Sequence, residues 1–147
     1  MDIEQIKSII ELGIMLTLAL AMVTIVYLAI NRNGAISMLR SQLASFKNKT
    51  ELEIELNKKM TFLFSIVSNA VYIGLFGTVL GVMVTLSAIE QIEHKALIAS
   101  LSLPLLSTAV SIVVAIVGTF IFNSVVAKVD ETLKMWDIKH GNDIKTD

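Results

Sequence analysis

The sequence predicts an all-α integral membrane protein with three long transmembrane helices, because its charged residues are few and segregated. Only 17% of the 147 residues are charged, against about 25% in soluble domains. Three runs, residues 12–31, 60–89 and 96–127, are free of charged side chains and are 20, 30 and 32 residues long. A helix that spans a bilayer needs about 20 apolar residues. Each run therefore predicts one span within a single membrane domain, residues 1–147.

The first run follows an acidic segment that contains Asp2, Glu4, Lys7 and Glu11. A secretory signal peptide begins with a basic segment and ends in a cleavage site of small residues. The acidic start therefore favours a retained transmembrane helix.

Basic residues indicate the orientation of the three spans. Ten lysines and arginines lie in the loop 32–59 and the tail 128–147, whereas two lie before the first span and in the turn between the second and third. Cytoplasmic segments of membrane proteins are enriched in Lys and Arg. We therefore expect the loop and the C-terminal tail in the cytoplasm and the N-terminus on the outer side of the membrane.

The second and third runs exceed the thickness of a bilayer. At 1.5 Å per residue they form helices of roughly 45–48 Å, whereas the hydrocarbon layer is about 30 Å thick. The turn between them is short and charged, which fixes the outer ends of both helices at the membrane surface. Their surplus length is therefore expected to extend into the cytoplasm. Apolar helix outside the bilayer needs cover from other subunits. The surplus length therefore predicts a homo-oligomer.

The second helix is expected to begin before its apolar run. Thr50 and Glu53 have the spacing of a capping box, and Glu55 and Lys59 have that of a helical ion pair. These patterns predict one unbroken helix from about Thr50 to Ile89. The tail is expected to fray beyond Gly141.

Small residues recur at helical spacing on the second and third spans. They are Ala70, Gly74, Gly77, Gly81, Thr85 and Ala88 on the second span, and Ser107, Thr108, Ser111, Ala115 and Gly118 on the third. Faces of small residues let helix backbones approach closely in lipid. The pattern predicts helix packing, and its hydroxyls are also compatible with a polar cavity.

Two threonines lie at matching depths. Thr78 is 11 residues from Ile89 and Thr108 is 12 residues from Ala96, so both lie about 17 Å from the outer ends of their spans, near mid-bilayer. A lone threonine usually bonds the carbonyl of its own helix. Together with Ser107 and Ser111, these two residues are the candidates for a pore lining or proton pathway.

Other polar or irregular positions in the spans have simpler interpretations. Pro104 removes the helical hydrogen bond to the Ser100 carbonyl and predicts a kink. Asn69 and Asn123 are expected to form hydrogen bonds between helices.

Composition excludes several classes of function. The chain has no cysteine, so disulfides, zinc–thiolate sites and iron–sulfur clusters are excluded. His94 and His140 are far apart, so no metal site is expected. Nucleophile motifs, phosphate loops and basic nucleic-acid arms are lacking, so the sequence predicts neither an enzyme nor a cofactor nor a nucleic-acid partner.

Two segments resemble the ExbB/TolQ/MotA proton-channel family. Residues 74–83 (GLFGTVLGVM) are similar to its second-helix signature, and residues 105–116 (LLSTAVSIVVAI) with 121–123 (IFN) are similar to its third. The resemblance covers about residues 73–123 and is strongest to ExbB. Thr78 and Thr108 fall on the pore-facing threonine positions of the family.

The resemblance implies an oligomeric channel, a pentamer in the family, around the helices of an ExbD-like partner that carries a membrane aspartate. Proton flow would move the inner helices, and a TonB-like protein would carry the energy to outer-membrane transporters. A TolQ-type role in envelope integrity and a non-conducting membrane scaffold are the alternatives. The three uncharged runs hold no Asp, Glu, His, Lys or Arg, so the chain is not expected to relay a proton alone.

Two features depart from the family pattern. Leu103 stands where ExbB and TolQ usually have an acidic residue, five positions before the third-helix threonine. The role of that carboxylate therefore does not transfer. The loop 32–59 is also shorter than in many relatives, and a fourth span typical of MotA is lacking, which argues against a flagellar stator.

Overall fold

The computed structural model describes residues 3–46, 48–87 and 94–141, and all regular secondary structure in these ranges is helical. The elements are α1 (Ile3–Ser41), a 3-10 turn (Leu43–Ser45), α2 (Lys49–Asn57), α3 (Met60–Ser87) and α4 (His94–Gly141). Three stretches are long and apolar enough to cross a membrane: Gln5–Ser41, Lys49–Ser87 and Ser100–Gly141. The prediction of three spans is confirmed, and the chain is a multi-pass membrane protein.

Helices α3 and α4 form an antiparallel pair, because their contacts run in opposite directions along the chain. Gly118 of α4 faces Val67 of α3, and Pro104 of α4 faces Gly81 of α3. Helix α1 packs on both, with Ile14 against Gly77. The core of this three-helix unit consists of Ile25, Leu28, Leu63, Val67, Ala70 and Val114.

The outer surface of the unit is apolar. Exposed large side chains include Leu16, Leu20 and Tyr27 on α1, Phe62, Phe76 and Met83 on α3, and Leu105, Val113 and Phe120 on α4. Such a surface is unstable in water and is typical of a protein solvated by lipid tails or by other membrane subunits.

A second cluster of buried side chains lies at the other end of the bundle, in what we call the helical extension (residues 32–57 and 128–141). Its core and the adjoining turn of the spans contribute Ala29, Ile36, Leu43, Leu52, Leu56, Met60, Val125 and Val129. Two exposed ion pairs cross it, Arg40–Glu131 at 2.5 Å and Lys49–Asp137 at 2.7 Å. Because exposed ion pairs contribute at most about 1 kcal/mol each, the apolar core holds the extension together.

The extension differs from the sequence prediction in one respect. The second and third runs were expected to form helix longer than a bilayer is thick, and helix α1 also continues past its own uncharged run, to Ser41. The Arg40–Glu131 ion pair joins the extended parts of α1 and α4. The uncharged-run criterion missed this continuation, since charges at Arg32 and Arg40 end an apolar run without ending a helix.

The prediction of one unbroken helix from about Thr50 is wrong. Helix α2 begins at Lys49 with Asn48 as its N-cap, so the capping box at Thr50 does not form. The helix stops at Asn57, and Lys59 adopts a left-handed φ of 63°. Lys58, rather than Lys59, pairs with Glu55, at 3.4 Å. The predicted end at Ile89 lies outside the described residues, as does the chain beyond Gly141.

The asparagine prediction is wrong for Asn69. Its Nδ2 donates to the Ser65 carbonyl of its own helix at 2.7 Å, the bond that i, i−4 spacing makes available. Asn123 is exposed and lines a groove of about 410 Å³ with Val71, Ile112, Thr119 and Phe120.

Candidate functional site

The four hydroxyl residues singled out from the sequence lie at the α3–α4 contact, and the two threonines touch each other. The Oγ1 atoms of Thr78 and Thr108 are hydrogen-bonded. Thr78 Oγ1 also lies 3.0 Å from the Pro104 carbonyl oxygen, and Thr108 Oγ1 lies 3.1 Å from that of Gly74. The threonine cluster, as we call Thr78, Thr108 and these two carbonyls, therefore links the helices through polar groups at one depth.

The chemistry of the cluster is that of hydrogen-bond exchange. Each hydroxyl has one proton to donate and lone pairs to accept with, whereas the carbonyls only accept. The two hydroxyl protons can therefore be shared among the oxygens in more than one arrangement. Both threonines are half-buried, so the cluster is open on one side. It can orient a water molecule or a partner's polar group, but it does not titrate near neutral pH.

The two serines face the interior of the helix pair. Ser107 and Ser111 are 1% and 0% exposed. Ser111 Oγ donates to the Thr108 carbonyl at 2.8 Å, and its side chain fills the space that a Cβ on Gly74 would occupy. In the single chain these serines therefore pack the interface, while the threonines keep a face toward the surface.

The glycines permit the close approach that brings the hydroxyls together. A Cβ built on Gly77 would lie 2.5 Å from Ile14 Cδ1, and one built on Gly118 would lie 3.0 Å from Val67 Cγ2. At Gly81 it would meet the ring of Pro104, 2.7 Å from its Cβ. The small face of α3 is thus occupied by α1 and α4 of the same chain. Ala115 is half-buried beside the α3–α4 groove.

Pro104 occupies a central position in the site. Helix α4 runs through it without interruption. Its carbonyl belongs to the threonine cluster, and the Ser100 carbonyl, which a proline at 104 cannot bond, accepts a hydrogen bond from the Lys7 ammonium of α1. Leu103, at the position where the family usually has an acidic residue, directly precedes Pro104 in α4.

Sequence reasoning missed the charged residues that α1 brings into the structure. Besides Lys7, these are Glu11, whose Oε1 is buried, and Arg32, which is 5% exposed. Arg32 Nη2 donates to the carbonyls of Glu55, at 3.2 Å, and of Leu56. One signal was available, because the intervals of three, four or seven residues place the following side chains on one face of α1: Lys7, Glu11, Ile14, Leu18, Ile25 and Arg32.

Comparison with known proteins identifies the family. The model of the MotA/TolQ/ExbB proton channel family matches residues 32–138. This chain belongs to the MotA/TolQ/ExbB proton channel family. The match contains both signature segments and the whole threonine cluster. Membership confirms the resemblance seen in the two motifs, and it assigns the chain to a family of channel and transport subunits rather than enzymes.

Curated members of the family are similar over nearly their full length. A biopolymer transport protein ExbB of Aquifex aeolicus (strain VF5) is 38% identical over 141 residues, which are 94% of each chain. A putative biopolymer transport protein ExbB-like 2 of Helicobacter pylori (strain ATCC 700392 / 26695) is 35% identical over 91% of this chain and 90% of its own. These relatives are of similar length to this one. No solved structure matches the chain.

Proposed function

We propose that the chain is the channel-forming subunit of a proton-driven motor in a bacterial inner membrane, which energises transport across the outer membrane through a TonB-like protein. The observation that carries this proposal is the match to the proton channel family over residues 32–138, together with full-length similarity to a protein named for biopolymer transport. The polar atoms of the threonine cluster support the proposal, because they can orient a water molecule or a polar group of a partner.

The titrating group of the proton path is proposed to come from a partner. The runs 12–31, 60–89 and 96–127 contain no Asp, Glu, His, Lys or Arg, and a proton relay in a membrane needs an ionisable group away from bulk water. An ExbD-like helix carrying an aspartate supplies one. Thr78 and Thr108 then orient water or that carboxylate, so they support proton transfer without holding the proton.

A homo-oligomer, a pentamer as in the family, is proposed to surround the partner helix. Exposed apolar side chains outside the three uncharged runs support it, because lipid tails do not cover them. Met38, Ile54 and Ile138 of the helical extension are 67%, 67% and 71% exposed. Neighbouring subunits that pack their extensions together would cover these side chains.

Reconstitution in liposomes tests the proposed function. A pH gradient across vesicles that contain the chain alone should decay no faster than across empty vesicles. Co-reconstitution with an ExbD-like single-span protein should produce proton flux, and an Asp→Asn change in that protein's helix should abolish it. Robust flux through the chain alone would refute the assignment of the carboxylate to a partner. Absence of flux in the complete complex would refute the channel.

A further inference from the structure

Pro104 changes the hydrogen-bonding demand inside α4. An α-helical residue normally donates its amide hydrogen to the carbonyl four residues earlier, and proline has no such hydrogen. The Ser100 carbonyl therefore loses its regular donor. A donor from another helix can then bond this carbonyl.

Lys7 meets this demand from a different helix. Its ammonium donates to the Ser100 carbonyl across 93 residues of sequence. The packing of Ile14 against Gly77, two turns further along α1, fixes the register that brings Lys7 to this level. Glu11 follows Lys7 by one turn on the same side of α1, with Oε1 buried. Glu11 and Lys7 are close enough to attract each other electrostatically.

The same proline holds the threonine cluster. Its ring fills the space at Gly81, and its carbonyl lies 3.0 Å from Thr78 Oγ1. Ser100, whose carbonyl accepts a hydrogen bond from Lys7, lies one helical turn before Pro104. Thr108, which contacts Thr78, lies one turn after it. Any shift of the Ser100–Pro104 turn moves the Pro104 carbonyl relative to Thr78.

We propose that Lys7 is a positioning residue for the threonine cluster: its ammonium replaces the amide that Pro104 lacks and thereby fixes this turn of α4. Lys7 acts through Pro104 and neither binds nor transfers the channel's proton. The consequence for proton flux rests on the proposed function, whereas the hydrogen bond itself does not.

A double-mutant cycle between Lys7 and Pro104 tests the hydrogen bond. Lys7→Met should lower the melting temperature of the full chain in detergent by on the order of 5 °C. In a Pro104→Ala background the alanine amide can donate to the Ser100 carbonyl, so Lys7→Met should then cause little further change. Lys7→Arg should preserve most of the stability, and Lys134→Met, at an exposed lysine of α4, should have no effect. An equal loss from Lys7→Met in both backgrounds would overturn the proposal.

Proton flux through the complex with its partner separates positioning from stability alone. Lys7→Met should reduce flux severalfold, Lys7→Arg should restore it, and Pro104→Ala with or without Lys7→Met should give equal flux. Unchanged flux in Lys7→Met, despite coupled melting temperatures, would overturn the positioning role. If the parental complex carries no flux, the proposed function fails and the positioning role fails with it, while the melting cycle still decides on the hydrogen bond.

Discussion

Thr78 and Thr108 form one polar contact, but each hydroxyl also has a separate carbonyl neighbour. Thr78 reaches the Pro104 carbonyl, and Thr108 reaches that of Gly74. Removing one hydroxyl therefore leaves the other with an acceptor, and the helix pair remains closed. The role of the two side chains is therefore to fix the direction of a hydrogen bond.

For this reason we expect Thr108→Val to weaken the channel without abolishing it. The substitution keeps the shape of the side chain and removes the contacts of Thr108 Oγ1 with Thr78 and with the Gly74 carbonyl. Because Thr78 can still donate to the Pro104 carbonyl, the net loss should be about 1 kcal/mol and proton flux should fall about fivefold. Vesicles containing the partner provide the measurement. Thr119→Val is the matched control, because Thr119 is exposed and bonds only its own helix, at the Ala115 carbonyl, 2.7 Å away. Complete loss of flux in Thr108→Val would show that the hydroxyl is indispensable.

The glycine at 77 gives a test of packing within one chain. Gly77→Ala would place a methyl group 2.5 Å from Ile14 Cδ1, so it should destabilise the protein by about 1–3 kcal/mol. Ile14→Val removes that Cδ1 and should relieve part of the loss in the double variant. Gly34→Ala is the control, since no side chain lies within 4 Å of its position, and it should stabilise the helix by up to about 1 kcal/mol. Equal losses of stability from Gly77→Ala and Gly34→Ala, measured by thermal unfolding in detergent, would contradict this packing.

At the scale of the element, the boundary between α2 and α3 depends on contacts that are distant in sequence. Local charge spacing favours one continuous helix, yet the chain breaks at Lys58 and Lys59. The carbonyls of Glu55 and Leu56 lie at the end of α2. They accept hydrogen bonds from the Arg32 guanidinium instead of from helical amides. A cation at a helix C-terminus is also favoured by the helix dipole. Arg32 therefore replaces the hydrogen bonds that these carbonyls lose where the helix breaks.

The left-handed backbone at Lys59 leads to a prediction at this boundary. A side chain at φ 63° costs about 1–2 kcal/mol, which glycine avoids. Glycine loses more conformational entropy on folding, so Lys59→Gly should give a net gain on the order of 0.5 kcal/mol. Lys58 has φ −52°, so Lys58→Gly should bring the entropic loss together with the loss of the exposed Lys58–Glu55 ion pair. Chemical denaturation can rank the two variants. A more stable Lys58→Gly protein would mean that the break lies elsewhere.

At the scale of the whole molecule, the sequence was sufficient to predict the three spans but not the contacts that join them. Charged side chains are expensive in hydrocarbon, so three charge-free runs predict three helices with little ambiguity. The depth argument likewise selected Thr78 and Thr108, which contact each other. The Lys7–Ser100 bond and the Arg32 contact lie outside such reasoning, because each depends on which helix packs beside which. The family motifs lie in α3 and α4 and carry no information about α1.

The orientation of the molecule is the last prediction, and it rests on the ten-to-two distribution of basic residues between the two sides. The chain lacks cysteine, so single cysteines can be introduced at Ser8, Ser45 and Lys139, all of which are exposed. A membrane-impermeant thiol reagent applied to intact spheroplasts should label the protein at Ser8→Cys alone. After lysis it should also label Ser45→Cys and Lys139→Cys, which controls for accessibility. Positions 45 and 139 both belong to the helical extension, so they should be labelled under the same conditions. Labelling of Ser45→Cys in intact spheroplasts would put the extension in the periplasm and reverse the proposed orientation of the chain.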